Sequence, residues 1–212
     1  MKKYPIILFI VIFCFLSISK AQNIKGGIAC GVNATQVDGD KLYGYNKFGL
    51  NVGAIAIVPL WHNFNFWLET AYSQKGSHQK VTSVPPLDGS YELNLRYLDI
   101  PLLINYTDKN VITAGAGISI NRLTSFTEKD NTGFTDNDHK GTFNNYDYDW
   151  IANFNIRIYK GLHFNLRYSY SLKKIRTVYY SDKAPDFGEE YNNILTFRLM
   201  YLFERKTKGQ EK

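Results

Sequence analysis

Along most of this chain, apolar and polar residues alternate one by one. Leu162, Phe164, Leu166, Tyr168, Tyr170 and Leu172 take the even positions, with His163, Asn165, Arg167, Ser169, Ser171 and Lys173 between them. Tyr191, Leu195, Phe197, Leu199, Tyr201 and Phe203 repeat the pattern against Ile194, Thr196, Arg198, Met200 and Leu202. A period of two belongs to β-strands, whose successive side chains point to opposite faces. The pattern predicts eight strands, at about 24–35, 48–60, 64–76, 91–106, 111–123, 145–159, 162–173 and 191–203.

In each strand one face is apolar and the other carries amides and charges. Phe48, Leu50, Val52, Ala54, Ala56 and Val58 share a face, as do Phe64, Phe66, Leu68 and Tyr72, which oppose Asn65, Trp67, Glu69 and Ser73. Ile28, Cys30, Val32 and Ala34 oppose Lys25 and Asn33; Ile112, Ala114, Ala116, Ile118 and Ile120 oppose Gly115 and Gly117. The fourth strand breaks parity, with Tyr91, Leu93 and Leu95 on odd positions and Leu98, Ile100, Leu102 and Ile104 on even ones. A bulge near Tyr97 is expected there, because one extra residue reverses the facing of everything after it.

The connections alternate as regularly as the residues. Short turns fall at 61–63, 107–110 and 159–161, and long polar loops at about 36–47, 77–90, 124–144 and 176–189. Outer-membrane barrels sort their loops this way, with short turns inside and long loops outside. The prediction is an all-β, eight-stranded, antiparallel up-and-down transmembrane barrel with both termini in the periplasm. A lipocalin-like soluble barrel has the same strand count but packs its apolar side chains inward around a small amphiphile. Apolar faces tipped with Tyr and Trp favour the membrane barrel over it.

The N-terminus carries an export signal. Lys2 and Lys3 precede an apolar run from Ile6 to Leu16, and Ser19 and Ala21 place small residues before Gln22. Cleavage between Ala21 and Gln22 is expected, since about 11 apolar residues fall short of the roughly 20 a spanning helix needs. Cys14 lies inside the apolar run and is no lipoprotein signal. The chain thus divides into a signal peptide (1–21), a barrel domain (22–203) and a polar tail (204–212) expected in the periplasm. Losing Lys2, Lys3 and Lys20 lowers the formal charge from +6 to +3, so basicity is no argument for nucleic acid. Cys30 alone survives cleavage and has no partner for a disulfide or a cysteine zinc site.

Tyr97, Leu98, Asp99, Ile100, Pro101 and Leu102 open the segment YLDIPLLINY, which resembles the "YLEIPLLLKY"-type strand of the PorT-like outer-membrane β-barrel family. Such a motif is specific because Pro is rare inside strands. Asp99 stands in place of the family's Glu and Asn105 in place of its Lys. The likeness extends over the mature chain, including the glycine-rich first strand, Gly115-Ala116-Gly117 and the aromatic last strand. The resemblance implies an integral outer-membrane protein of a Gram-negative cell. The founding member resembles part of the type IX protein-secretion apparatus, whereas most relatives are small barrels without an assigned role. The final strand departs from the family in lacking its Gly, and Glu204–Lys212 follows the terminal Phe203.

Chemistry-bearing residues are sparse. His62, His78, His139 and His163 have no second His or Cys at ligand spacing. Gly115-Ala116-Gly117 is half of a dinucleotide fingerprint with no helix pattern behind it; close strand packing or a slim lumen accounts for it better. Asp136-Asn137-Asp138 lacks the Gly and closing Glu of a calcium loop. No catalytic site, cofactor or metal is expected. The polar face offers one cluster: Lys25, Glu69, Asp99, Arg157, Arg167 and Arg198. Eight strands enclose a lumen just wide enough for side chains to fill, so these charges should pair with one another. The expected partners are outer-membrane lipid, the barrel assembly machinery and a surface or secretion-system protein contacting the long loops. A narrow small-solute channel is the alternative.

Overall fold

The computed structural model describes residues 24–40, 42, 44–79, 90–130, 133–134, 142–179 and 187–203. The cleavage site at Ala21 and Gln22, His139, the Asp136–Asp138 stretch, most of the long-loop centres and the tail 204–212 lie outside the described residues.

Among the described residues ten strands follow in order: β1 (Lys25–Asp38), β2 (Lys47–Pro59), β3 (Phe64–Gln79), β4 (Tyr91–Asp108), β5 (Ile112–Asp130), β6 (Gly133–Phe134), β7 (Tyr146–Tyr159), β8 (Leu162–Ser171), β9 (Arg176–Tyr179) and β10 (Phe187–Leu202). Eight of them form the wall, each antiparallel to its neighbours in the order β1-β2-β3-β4-β5-β7-β8-β10. β10 then pairs back onto β1, from Gly27 opposite Leu202 to Asp38 opposite Tyr191. Closure leaves the wall no free edge, which lipid would otherwise punish with unpaired backbone groups. The two extra strands are short, with β6 folded on the end of β5 and β9 on the start of β10.

Alternation places the apolar face outside. Ile28, Leu50, Ile104, Ile118 and Leu199 stand 43–54% exposed, while the odd residues 147–155 of β7 and 165–171 of β8 are buried. This is the reverse of a lipocalin-like interior, and the soluble barrel is excluded by it. Aromatic rings mark both rims of the apolar band: Trp61, Tyr106, Tyr159 and Tyr201 near the short turns, and Tyr72, Tyr146, Tyr148 and Trp150 toward the long loops.

The short turns are tight because their residues accept left-handed backbone. Lys109 and Asn110 both have positive φ (47° and 55°), and the Val111 N–H donates to the Asp108 carbonyl at 2.9 Å, which closes a tight turn between Asp108 and Ile112. His62 and Lys160 supply the same geometry in the other two turns. At the long-loop end the strands outrun their sequence limits, with β3 reaching Gln79, β5 reaching Asp130 and β10 beginning at Phe187. Parts of the segments expected as loops at 77–90, 124–144 and 176–189 are therefore strand.

The parity break in the fourth strand has a different cause from the one expected. β4 keeps one phase throughout, so Leu93, Leu95 and Tyr97 point inward together with Asp99 and Leu103. The register shift does fall at Arg96/Tyr97, but the extra residue is Thr124 on β5, whose hydroxyl bonds the Arg96 carbonyl at 2.8 Å. The apolar odd residues of β4 do not switch faces. They fill the lumen with Val37, Phe143 and Ile175. A second apolar layer lies nearer the short turns, with Ile55, Ile57, Trp67, Leu103, Ile151 and Met200. Gly117 is inward and close-packed, since a side chain there would strike the Leu102 carbonyl and Leu103.

The motif strand runs through this interior. Tyr97, Asp99 and Pro101 face inward and Leu98 and Ile100 face out. The β3–β4 ladder runs from Leu68 opposite Leu102 to Ala71 opposite Asp99 and skips the two pairs between, at Pro101, which has no N–H to give.

Candidate functional site in the barrel lumen

Between the two apolar layers the lumen holds two charged groups, each built from inward positions of several strands. In the first, Arg167 of β8 grips Glu69 of β3 with both terminal nitrogens, at 2.6 and 3.0 Å. Arg198 of β10 binds the same carboxylate at 3.0 Å and donates to Asn165 at 2.7 Å and 3.0 Å. Asn165 passes the network on to Asn153, and Asn153 to Asn105, each at 2.9 Å. All these side chains are buried, so each guanidinium proton left unbound would cost several times its value in water.

The second group centres on Lys75. Its ammonium lies 3.2 Å from Asp149, 3.5 Å from Asp99 and 4.0 Å from Asp147, and 4.6 Å above the Tyr97 ring. Asn121 donates to Asp149 at 2.7 Å and Asn192 to Asp147 at 2.8 Å. Lys75 occupies the place that a cation would take among three carboxylates. Among the described residues no set of His, Cys, Asp or Glu is arranged to hold a metal ion. Space between the two groups amounts to about 20 Å³, bounded by Ser73, Asp99, Ser119, Asp149, Arg167 and Thr196. That volume admits one water molecule and nothing larger.

A third group closes the long-loop end. Arg176 of β9 binds Glu128 of β5 at 2.7 Å and Glu190 of β10 at 2.9 Å, with its guanidinium 4.1 Å from the Phe143 ring centroid. Tyr91 donates to Glu128 at 2.6 Å. The arrangement ties the start of β4, the end of β5, β9 and the start of β10 into one cap.

Of the six charges expected to cluster, four do so. Glu69, Arg167 and Arg198 form one group, and Asp99 belongs to the other. Lys25 and Arg157 do not join them. Both are exposed at the short-turn end, where Arg157 still pairs in phase with His163 but lies at the open mouth of the lumen, past the last buried layer. Near them, His163 bonds Asn155 at 3.0 Å. Sequence reasoning missed Lys75, Arg176, Glu128 and Glu190. Lys75 was legible, since it continues the odd-numbered face of Trp67, Glu69 and Ser73. Glu128 and Arg176 fall in segments read as loops, and Glu190 lies at the edge of one, just before the last predicted strand.

A family model described as the outer membrane protein beta-barrel domain matches residues 20–176. The chain belongs to that family. It is accordingly an integral barrel of the outer membrane, with the wall facing lipid and the lumen packed. Among solved structures, the neisserial surface protein NspA matches 86% of this chain and 100% of its own, at 11% identity and a TM-score of 0.49. Ail of Yersinia pestis matches 84% of this chain and 98% of its own, at 10% identity and a TM-score of 0.41. The outer membrane protease OmpT of Escherichia coli matches 87% of this chain and 98% of its own, at 12% identity and a TM-score of 0.39. Likenesses so distant carry nothing about activity. No curated protein matches the sequence.

Proposed function

We propose that this outer-membrane barrel is a non-enzymatic interaction protein that works through its long-loop end. The reading rests chiefly on the packed lumen, where paired charges alternate with apolar layers and the cavity between the two charged groups is about 20 Å³. A solute path would need the Glu69–Arg167–Arg198 group and the Leu93–Leu95–Phe143 layer to part together. At the long-loop end, by contrast, β3, β4, β5 and β10 continue beyond the aromatic rim, and Arg176 ties β4, β5 and β10 together there through Glu128, Glu190 and Tyr91.

The resemblance of Tyr97–Leu102 to the PorT-like strand supports a partner associated with protein secretion. In this reading the signal is cleaved before Gln22, both termini and the short turns are periplasmic, and the long loops meet a surface or secretion component. Whole-cell cross-linking, followed by identification of the captured proteins, tests it. A specific partner should be captured by the native chain and lost when 131–141 is replaced by a Gly-Ser linker of equal length. Capture that is indifferent to this exchange would refute the long-loop reading.

A further inference from the structure

The outer wall carries a basic cluster that the packed lumen does not explain. Arg96 of β4 and Arg122 of β5 both point outward, and Arg122 stands cross-strand from Leu98, diagonal to Arg96. The Thr124 bulge brings them into this relation, and Arg96 is steadied by the Ser125 hydroxyl at 3.2 Å. One strand further round the barrel, Lys173 lies 5.3 Å over the Tyr148 ring. Tyr148 pairs with Ile120 and Tyr146 with Arg122, so the three cations are staggered over a few residues at the same end of the wall. Among the described residues no carboxylate forms a salt bridge with Arg96, Arg122 or Lys173. Glu92, on the same outer face, is held by Lys47 at 2.8 Å.

Directly below, the wall is apolar. Ile100 is 41% exposed, Ile118 50% and Trp150 41%, and all face outward beneath the cations. Acyl chains fit such a surface, and an anionic headgroup at its upper edge would meet two guanidiniums and an ammonium. Arginine binds phosphate through two parallel N–H donors, and a phosphomonoester suits the site better than a zwitterionic phosphodiester, whose charge its own ammonium already neutralises.

We propose that Arg96, Arg122 and Lys173, with the apolar wall below them, form a binding site for a net-anionic lipid bearing phosphomonoester groups, in the leaflet at the long-loop end. The two arginines clamp the phosphate across the β4–β5 seam, and Lys173 neutralises a second charge beyond Tyr148. The site lies outside the lumen and does not depend on which leaflet that end occupies.

Native mass spectrometry of the full chain in detergent tests it, with diphosphorylated lipid A as the probe and phosphatidylethanolamine as the neutral control. The wild type should retain lipid A selectively. R96Q/R122Q should weaken retention about tenfold, while R96K/R122K, which keeps the charge but loses the fork, should fall between. R122Q alone, at a fully outward position with no bond to the wall, should weaken it several-fold and keeps the test valid if the double variant folds poorly. K109Q/K160Q, at the opposite end, should leave retention unchanged. Equal retention by wild type and R122Q, or equal loss in K109Q/K160Q, would each overturn the proposal. The measurement has no sidedness, so it can fail while the long-loop reading stands, and the converse.

Discussion

Arg167 reaches across the barrel from β8 to close a two-pronged bond on Glu69 of β3, at 2.6 and 3.0 Å. The same carboxylate also receives Arg198 at 3.0 Å. One anion therefore serves two buried cations, and the partners are not interchangeable. E69Q would strand both guanidiniums in the interior, whereas R167M would leave Glu69 still held by Arg198. Breaking a buried pair from one side costs about 3–5 kcal/mol. E69Q should approach or exceed that range, with R167M clearly milder. Urea unfolding in lipid vesicles, read by tryptophan fluorescence, should rank them so; equal losses would show that Arg198 does not depend on Glu69.

Arg157 gives the contrasting case. The pattern of odd positions on its strand assigns it to the lumen, and it does pair in phase with His163, yet it sits at the exposed short-turn mouth rather than in the packed interior. R157A should change stability by no more than about 0.5 kcal/mol. A loss comparable with that of an Arg167 variant would mean that Arg157 has a buried carboxylate partner after all.

These two arginines show how far the sequence could be read. Alternation alone gives the eight wall strands, their outward faces and the loop sorting, because a period of two has one structural meaning. It also places Trp67, Glu69, Arg167 and Arg198 inside together. What alternation cannot carry is a local break in phase. Thr124 inserts one residue into β5, so Glu128 points inward although it shares parity with outward Ile118 and Ile120. The apolar odd residues of β4 looked like an outward face displaced by a bulge, because Leu93 and Leu95 are indistinguishable in type from lipid-facing leucines. They line the lumen because polar and apolar layers alternate along its axis. Arg176 and Glu190 escaped notice since strands that continue beyond the membrane lose the apolar half of the pattern.

Lys75 is surrounded by Asp99, Asp147 and Asp149 at 3.5, 4.0 and 3.2 Å. K75M would leave three carboxylates facing one another in a space that holds about one water, and should prevent stable folding or cost several kcal/mol. D149N removes one of three anions and leaves Lys75 paired with the other two. It should cost far less, and D149N in the K75M background should recover part of the loss. Failure of that double variant to improve on K75M would argue that the aspartates do not act on Lys75 as a group.

Asp40, just beyond the end of β1, offers a pH dependence outside the membrane. Its Oδ1 accepts the Leu42 N–H at 2.8 Å, and burial pushes its pKa up from the usual carboxylate range to about 6, with nearby Glu190 and Asp38 adding to the rise. Between about pH 4 and 6 the native state keeps this proton while the unfolded chain has released it. Stability from this group is thus complete at low pH and lost as pH rises through 6. D40N keeps the acceptor without the charge. The difference in stability between D40N and wild type should grow in favour of the variant from pH 4 to 7 and then level off. A difference that is flat with pH would mean that Asp40 ionises as freely in the fold as in the unfolded chain.

Transport is the reading most at odds with the interior. Two apolar layers, around Trp67 and Leu103 and around Leu93 and Phe143, bracket the charged groups, and Arg176 closes the long-loop end. An ion entering this path would have to displace residues whose own charges are already paired, in a lumen too narrow to bring its hydration shell along. Purified wild-type barrel in planar bilayers should therefore show no sustained porin-scale conductance. Shortening the inner plug through L93A/F143A should not open one, because Glu69, Arg167 and Arg198 still fill the layer below. Opening by L93A/F143A alone would show that the apolar layer is the sole barrier and the charge group is hydrated. A stable conductance from the wild type would refute the packed lumen itself.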